Sequence, residues 1–136
     1  MHNFLSISEA ASIAIHSLAF IARDNSYSNA TNIANSANFS RNHLSKILQQ
    51  LTKHGYLISE RGPSGGFKML KLPSEITLLE IFELIDGNHE YTKCSREGKD
   101  CSFPTCVYGD VIQRANLMLT DYFRNRTIAD IVTRRK

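Results

Sequence analysis

The sequence predicts a mainly α-helical fold carrying one small β-hairpin, and three observations predict it. Apolar residues recur at helical spacing before residue 55 and again after residue 107. The period becomes strand-like only around 56–72, on either side of a Gly-rich tip, and Ser, Thr and Gly stand where helices would begin and end. At 136 residues the chain suits one ordinary domain with a helical appendage, and it leaves no room for a second catalytic domain.

Taken in order, Ser6 with Glu9 three residues later reads as a capping box, and Ala11, Ala14, Leu18 and Ile21 or Ala22 then form a stripe on a helix from Ile7 to Arg23. After the polar Asp24-Asn25-Ser26, a short helix turns Ile33 and Ala34 inward and breaks at Asn38-Phe39. Ser40 caps a third helix whose Leu44, Ile47, Leu48 and Leu51 recur at i, i+3, i+4 and i+7, with Gly55 as its stop. Tyr56 to Arg61 and Phe67 to Leu72 are strand-like runs joined by Gly62-Pro63-Ser64-Gly65-Gly66, and Pro73 ends the second. Thr77 and Glu80 box a fourth helix that stops at Gly87 and is expected to brace the hairpin. Residues 88–106 show neither period, long for a loop in so small a domain. Tyr108, Val111, Ala115, Met118 or Leu119, and Tyr122 then trace a near-heptad stripe on a helix of about five turns. A stripe of that length at the chain end predicts a partner. Thr127 and Asp130 box one more short helix.

Two helices around a short turn, followed by a hairpin, make a winged helix-turn-helix, extended here by a long C-terminal dimerisation helix. The reading divides the chain into a DNA-binding unit at 1–87, a cysteine-bearing sensor loop at 88–107 and a dimerisation helix with its tail at 108–136. The net charge of +3 conceals an asymmetry. Arg41, Lys46, Lys53, Arg61, Lys68 and Lys71 face the single acid Glu60 within residues 30–72, so the rest of the chain is net acidic. A basic segment of this kind predicts a polyanionic partner, with a solvated basic face as the plainer alternative. Neither a basic start with an apolar core nor a membrane-length apolar run stands in the first twenty residues. The expectation is therefore a cytoplasmic protein without a membrane span.

The start of the third helix carries what a major-groove reader needs. Ser40, Arg41, Asn42, His43, Ser45 and Lys46 are short polar or basic side chains, placed where they reach base edges and phosphates while the apolar stripe stays on the core. Arg41 and Lys46 suit guanine acceptors or phosphates, Asn42 suits adenine, and Ser40 with the free amides of a helix start suits a phosphate. Arg61 precedes a tip of Gly62, Pro63, Ser64, Gly65 and Gly66, so a wing can present it to a minor groove while glycine lets the backbone approach. The plainer alternatives are that Gly65-Gly66 only closes a tight turn and that His43 is only a surface residue.

At this point the chain resembles the IscR, NsrR and CymR group of winged-helix regulators, the Rrf family. The resemblance rests on Ile33-Ala34, on the run from Phe39 to Leu48, and most specifically on Arg61-Gly62-Pro63-Ser64-Gly65-Gly66-Phe67. Pro73, Ile76-Thr77-Leu78, Gly87, the three cysteines and Thr127-Ile128-Ala129-Asp130 follow in the group's order. It implies a homodimer with crossed C-terminal helices, each protomer reading half of a palindromic operator as a repressor or activator of transcription. Ser45 occupies the place of an acidic residue that helps IscR-like members choose among sites, which implies a different site preference.

Cys94, Cys101 and Cys106 lie in one segment, an odd number of thiols suited to metal, cluster or redox chemistry rather than to a disulfide framework. The resemblance implies an iron–sulfur cluster, [2Fe-2S] or [4Fe-4S], completed by a non-cysteine ligand and sensing iron–sulfur status, redox state or nitric oxide. Here the middle cysteine is displaced while the outer span is kept, and the histidine that follows the third cysteine in the group would fall near Gly109. His16 is the first candidate for a fourth ligand, ahead of His89 and Asp110, against the alternative of a partly buried helix histidine with no such role. A zinc site, or a metal-free thiol switch, competes with the cluster. An iron–sulfur electron carrier or scaffold is the reading from another class, but it has no use for the Arg61 wing. No nucleophile–base pair or phosphate loop supports an enzyme.

Overall fold

A computed structural model describes residues 7–87 and 102–133. The helices are α1 (Glu9–Asp24), α2 (Ala30–Ala37), α3 (Arg41–Lys53), α4 (Leu78–Asp86), α5 (Val111–Arg124) and α6 (Ile128–Val132). Strands β1 (Leu57–Glu60) and β2 (Gly66–Met69) pair antiparallel, with Leu57 opposite Met69 and Glu60 opposite Gly66. One core joins these elements. Ile13, Leu18 and Ile21 of α1 meet Leu44, Leu48 and Leu51 of α3, Leu57 of β1, Ile81 of α4 and Ile128 of α6, all at most 1% exposed. Removing a buried leucine from such a site costs roughly 2–5 kcal/mol, so the stripe of α3 fixes how its opposite face is presented.

The sequence placed the cap of α1 at Ser6, which lies outside the described residues; the structure corrects this to Ser8. Its hydroxyl accepts the Ala11 N–H at 3.0 Å and donates to the Asp86 carboxylate at 2.7 Å, a partner no local motif reveals. Asn25 and Asn38, both left-handed, end α1 and α2, because asparagine tolerates that region better than most side chains. Gly55 ends α3 with φ +84°, its N–H bonded to the Thr52 carbonyl and the Tyr56 N–H to the Leu51 carbonyl. This paired closure leads directly into β1.

The strands are shorter than the sequence suggested, because after Leu70 the chain leaves the ladder and Pro73 opens a 3₁₀ turn at Pro73–Glu75. The hairpin rests on α1 and α3, whereas α4 packs on α1 and α5, which corrects the expectation that α4 braces the wing. Two of the three predicted capping boxes form, Thr77 with Glu80 and Thr127 with Asp130. Main-chain bonds between Leu78 and Arg126 and between Ile128 and Ile76 fasten α6 beside the start of α4. The C-terminal stripe begins later than expected: Tyr108 precedes α5, and the helix spans 14 residues, about four turns.

Candidate nucleic-acid interface and cysteine site

Helix α3 has two unlike faces. Leu44, Ile47, Leu48 and Leu51 are buried, and Ser40, Arg41, Asn42 and Lys46 are exposed. Ser45 and His43 are half-buried on opposite flanks. Ser40 has the conformation of a cap, yet its hydroxyl bonds to no helix amide, contrary to the expected capping bond. The first α3 amides and that hydroxyl therefore keep their capacity for an anion. The sequence reading assigned no contact beyond Lys46, counting Lys53 only in the basic segment and missing Gln49 altogether. Both are exposed, and with Asn42 and Lys46 they recur at i, i+4, i+7 and i+11 on the face opposite the leucines. Asn42 and Gln49 stand roughly 10 Å apart along the axis, about the rise of three base pairs. A helical projection of the sequence would have found them.

In the wing, Arg61, Gly62, Pro63 and Ser64 are exposed, and the Gly65 N–H closes the tip on the Gly62 carbonyl at 3.0 Å. Gly65 and Gly66 have steric reasons to be glycine. A side chain at 65 would collide with the Glu60 carbonyl, and one at 66, where φ is +139°, would stand 2.5 Å from the Ser28 carbonyl oxygen. Ser28 and Phe67 exchange both main-chain hydrogen bonds, at 2.9 and 2.8 Å, so the turn between α1 and α2 adds a one-residue strand to the hairpin.

His16 is exposed on α1, not partly buried as the plainer alternative had it. Its Nδ1 lies 2.7 Å from the Ser12 carbonyl oxygen and donates to it. The ring meets Phe39, the residue in the turn between α2 and α3, edge-on at 5.9 Å. Cys106 is an exposed free thiol in the turns before α5. Cys94, Cys101 and His89 lie outside the described residues, while Asp110 is exposed at the start of α5. Val111, Ile112, Met118 and Tyr122 of that helix are exposed as well, whereas Phe123 turns inward against Phe82 at 4.5 Å. Among the described residues no helix is long and apolar enough to cross a membrane.

The Rrf2 family, described as iron-dependent transcriptional regulators, matches residues 7–134. The regulator NsrR of Bacillus licheniformis is 31% identical over 119 residues, 85% of this chain and 83% of its own length. A protein of Aquifex aeolicus, whose name places it with the HTH-type transcriptional regulators, is 30% identical over 92 residues; that match spans 65% of this chain and 64% of the relative. Among solved structures, CymR of Bacillus subtilis superposes with TM-score 0.78 at 18% identity, over 95% of this chain and 97% of that one. IscR of T. potens gives 0.74 at 19% identity, over 95% and 87%. These structures share the winged helix-turn-helix fold, and the relatives are regulators rather than enzymes. The chain belongs to the Rrf2 family of DNA-binding transcriptional regulators.

Proposed function

We propose that this protein is a homodimeric, cytoplasmic regulator that reads a palindromic operator and senses iron–sulfur status, redox state or nitric oxide through a cluster bound at Cys94, Cys101 and Cys106. The observation that carries the DNA reading is the outward polar face of α3, with Ser40, Arg41, Asn42 and Lys46 exposed above a buried leucine stripe. In this reading Ser45 and His43 border the contact, and Arg61 with the tip from Gly62 to Gly66 reaches the flanking groove. The exposed apolar side chains of α5 support a second copy as the partner of that helix.

The donor chemistry fits a cluster. Thiolates are the ligands of iron–sulfur centres, and Cys106 offers an exposed one. His16 donates one ring N–H to a backbone carbonyl and leaves the other nitrogen free, the arrangement usual for a metal-ligating histidine. When bound, the cluster supplies iron and sulfide that oxygen or nitric oxide attack. His16 touches Phe39 in the turn ahead of α3, so a change at His16 has a direct contact through which to bias the reading helix. A metal-free or zinc-containing thiol switch is the second reading, favoured by the exposed free thiol of Cys106.

The test is to purify the protein without oxygen, record its visible spectrum, and assay iron, acid-labile sulfide and zinc. Visible charge-transfer bands with iron and sulfide support the cluster; colourless protein with one zinc or no metal overturns it and leaves the DNA reading standing. Cys101→Ser should abolish the response to signal while Arg61-dependent DNA binding persists.

A further inference from the structure

The basic side chains of residues 30–72 keep their charge for a partner. Among the described residues the ion pairs join Arg23 to Asp24, Arg114 to Asp110 and Arg124 to Asp121, all outside that segment. Two of its lysines are instead seated on aromatic rings, Lys68 with Nζ 5.8 Å from the centre of Tyr27 and Lys71 with Nζ 4.8 Å from that of Tyr56. The seat of Lys68 follows from the main chain. Ser28 and Phe67 exchange both backbone hydrogen bonds, which sets Tyr27 directly opposite Lys68. Ser28 and Leu57 are buried, and Phe67 and Met69 pack on the core. Alternation along the strands therefore turns Tyr27, Lys68 and its β1 partner Ile58 to the outer face of the wing.

Distance along β2 decides what Lys68 can reach. Three residues separate it from Gly65 at the tip, roughly 10 Å of extended chain. A minor groove is about 7.5 Å deep. With the tip at the floor of that groove, Lys68 stands at the rim, where the phosphates are, and Lys71, twice as far back, stands clear of it. We propose that Lys68 is a backbone-phosphate contact of the wing, separate from the base-reading residues, and that Tyr27 is the positioning residue that holds its ammonium at the rim. The proposal rests on the DNA-binding reading above. An ammonium has three N–H donors, so one facing a ring still has donors for phosphate oxygens. The ring also restricts a flexible side chain before DNA arrives, which lowers the entropy lost on binding.

The experiment uses the full-length protein and a duplex that the wild type selects from a random-sequence library. Affinity is measured at several salt concentrations for the wild type, Lys68→Ala, Lys71→Ala, Tyr27→Leu, Tyr27→Phe and the double variant Lys68→Ala with Tyr27→Leu, with thermal unfolding in parallel. Lys68→Ala should bind roughly fivefold more weakly per protomer near physiological salt and lower the salt slope by about 0.9 per protomer, the share of one phosphate. Lys71→Ala should keep the wild-type slope. Tyr27→Leu should bind roughly two- to fivefold more weakly, the size of an exposed cation–π contact. Tyr27→Phe keeps the ring and should bind as the wild type does, and the double variant should be no weaker than Lys68→Ala. An unchanged slope in Lys68→Ala, or an equal fall in Lys71→Ala, overturns the phosphate contact. Wild-type affinity in Tyr27→Leu, Tyr27→Phe as weak as Tyr27→Leu, or losses that add in the double variant overturn the positioning role; a merely structural Tyr27 predicts the last of these. If the wild type selects no duplex, the DNA reading fails, and this proposal falls with it.

Discussion

The Ser8 hydroxyl spans the fold to the Asp86 carboxylate, reaching its two oxygens at 2.7 and 2.8 Å across 78 residues of sequence. One oxygen atom thus caps α1 and ties it to the last residue of α4. Ser8→Ala should destabilise the protein by about 1–2 kcal/mol, the cost of an N-cap together with a hydrogen bond to a charged group. Asp86→Ala should cost less, because the cap survives. Urea midpoints at unchanged slope give the comparison, and equal losses would contradict the dual role.

Gly66 and Gly62 both have positive φ, but only Gly66 faces backbone. Gly62→Ala should cost roughly 1–3 kcal/mol for conformation alone. Gly66→Ala adds the overlap with Ser28 and should cost distinctly more, with Ser28 and Phe67 amides losing hydrogen-exchange protection. Equal melting temperatures for the two variants would contradict this account.

Gln49 and Lys53 extend the exposed face of α3 beyond the residues that sequence reasoning chose. Gln49→Ala should relax base preference at one position of each half-site by about 1–3 kcal/mol. Lys53→Ala should instead weaken binding to all sequences alike and lower the salt slope by roughly one. Selection from a random duplex library, repeated for each variant, separates the two effects.

Met118 is 73% exposed on a helix with no fully buried residue of its own. If α5 forms the proposed dimer, Met118→Glu should shift the protein toward monomer in sedimentation equilibrium while leaving helical circular dichroism intact. A variant that sediments as the wild type does would remove α5 from the interface.

Asp130 has its carboxyl held below the ordinary carboxylate value, first by the Thr127 backbone N–H and further by the Thr127 hydroxyl and Arg126. A group lowered in the folded state contributes stability above its unfolded value, near 3.8, and loses it as pH falls through the folded one. Acid should therefore loosen α6 from the start of α4, and Asp130→Asn should flatten that dependence. Exchange of the Ile128 amide between pH 5 and 2.5 is the readout.

Periodic burial was legible from sequence. The stripes of α1 and α3, the boxes at Thr77 and Thr127 and the stop at Gly55 are local patterns that tertiary packing reinforced. What escaped depended on distant partners. The sequence chose Ser6 because Glu9 completes a box with it, whereas the Ser8 cap is tied to Asp86, 78 residues away, and α4 shows an apolar face without showing that α1 and α5 cover it. The strand formed by Ser28 is a single residue and has no period to read. The polar start of α3 was identified correctly as exposed, apart from the half-buried His43 and Ser45, whereas Gln49 and Lys53 needed the whole helix projected.

The closure between Leu51 and Tyr56 leaves one glycine and one histidine between the end of α3 and the first buried residue of the hairpin. A two-residue link closed by main-chain hydrogen bonds thereby ties the direction of the hairpin to that of α3. If both touch DNA as proposed, tolerance for imperfect sites would come from the duplex, whose bending is soft and sequence-dependent, and flanking steps that nothing contacts would become part of the recognised sequence.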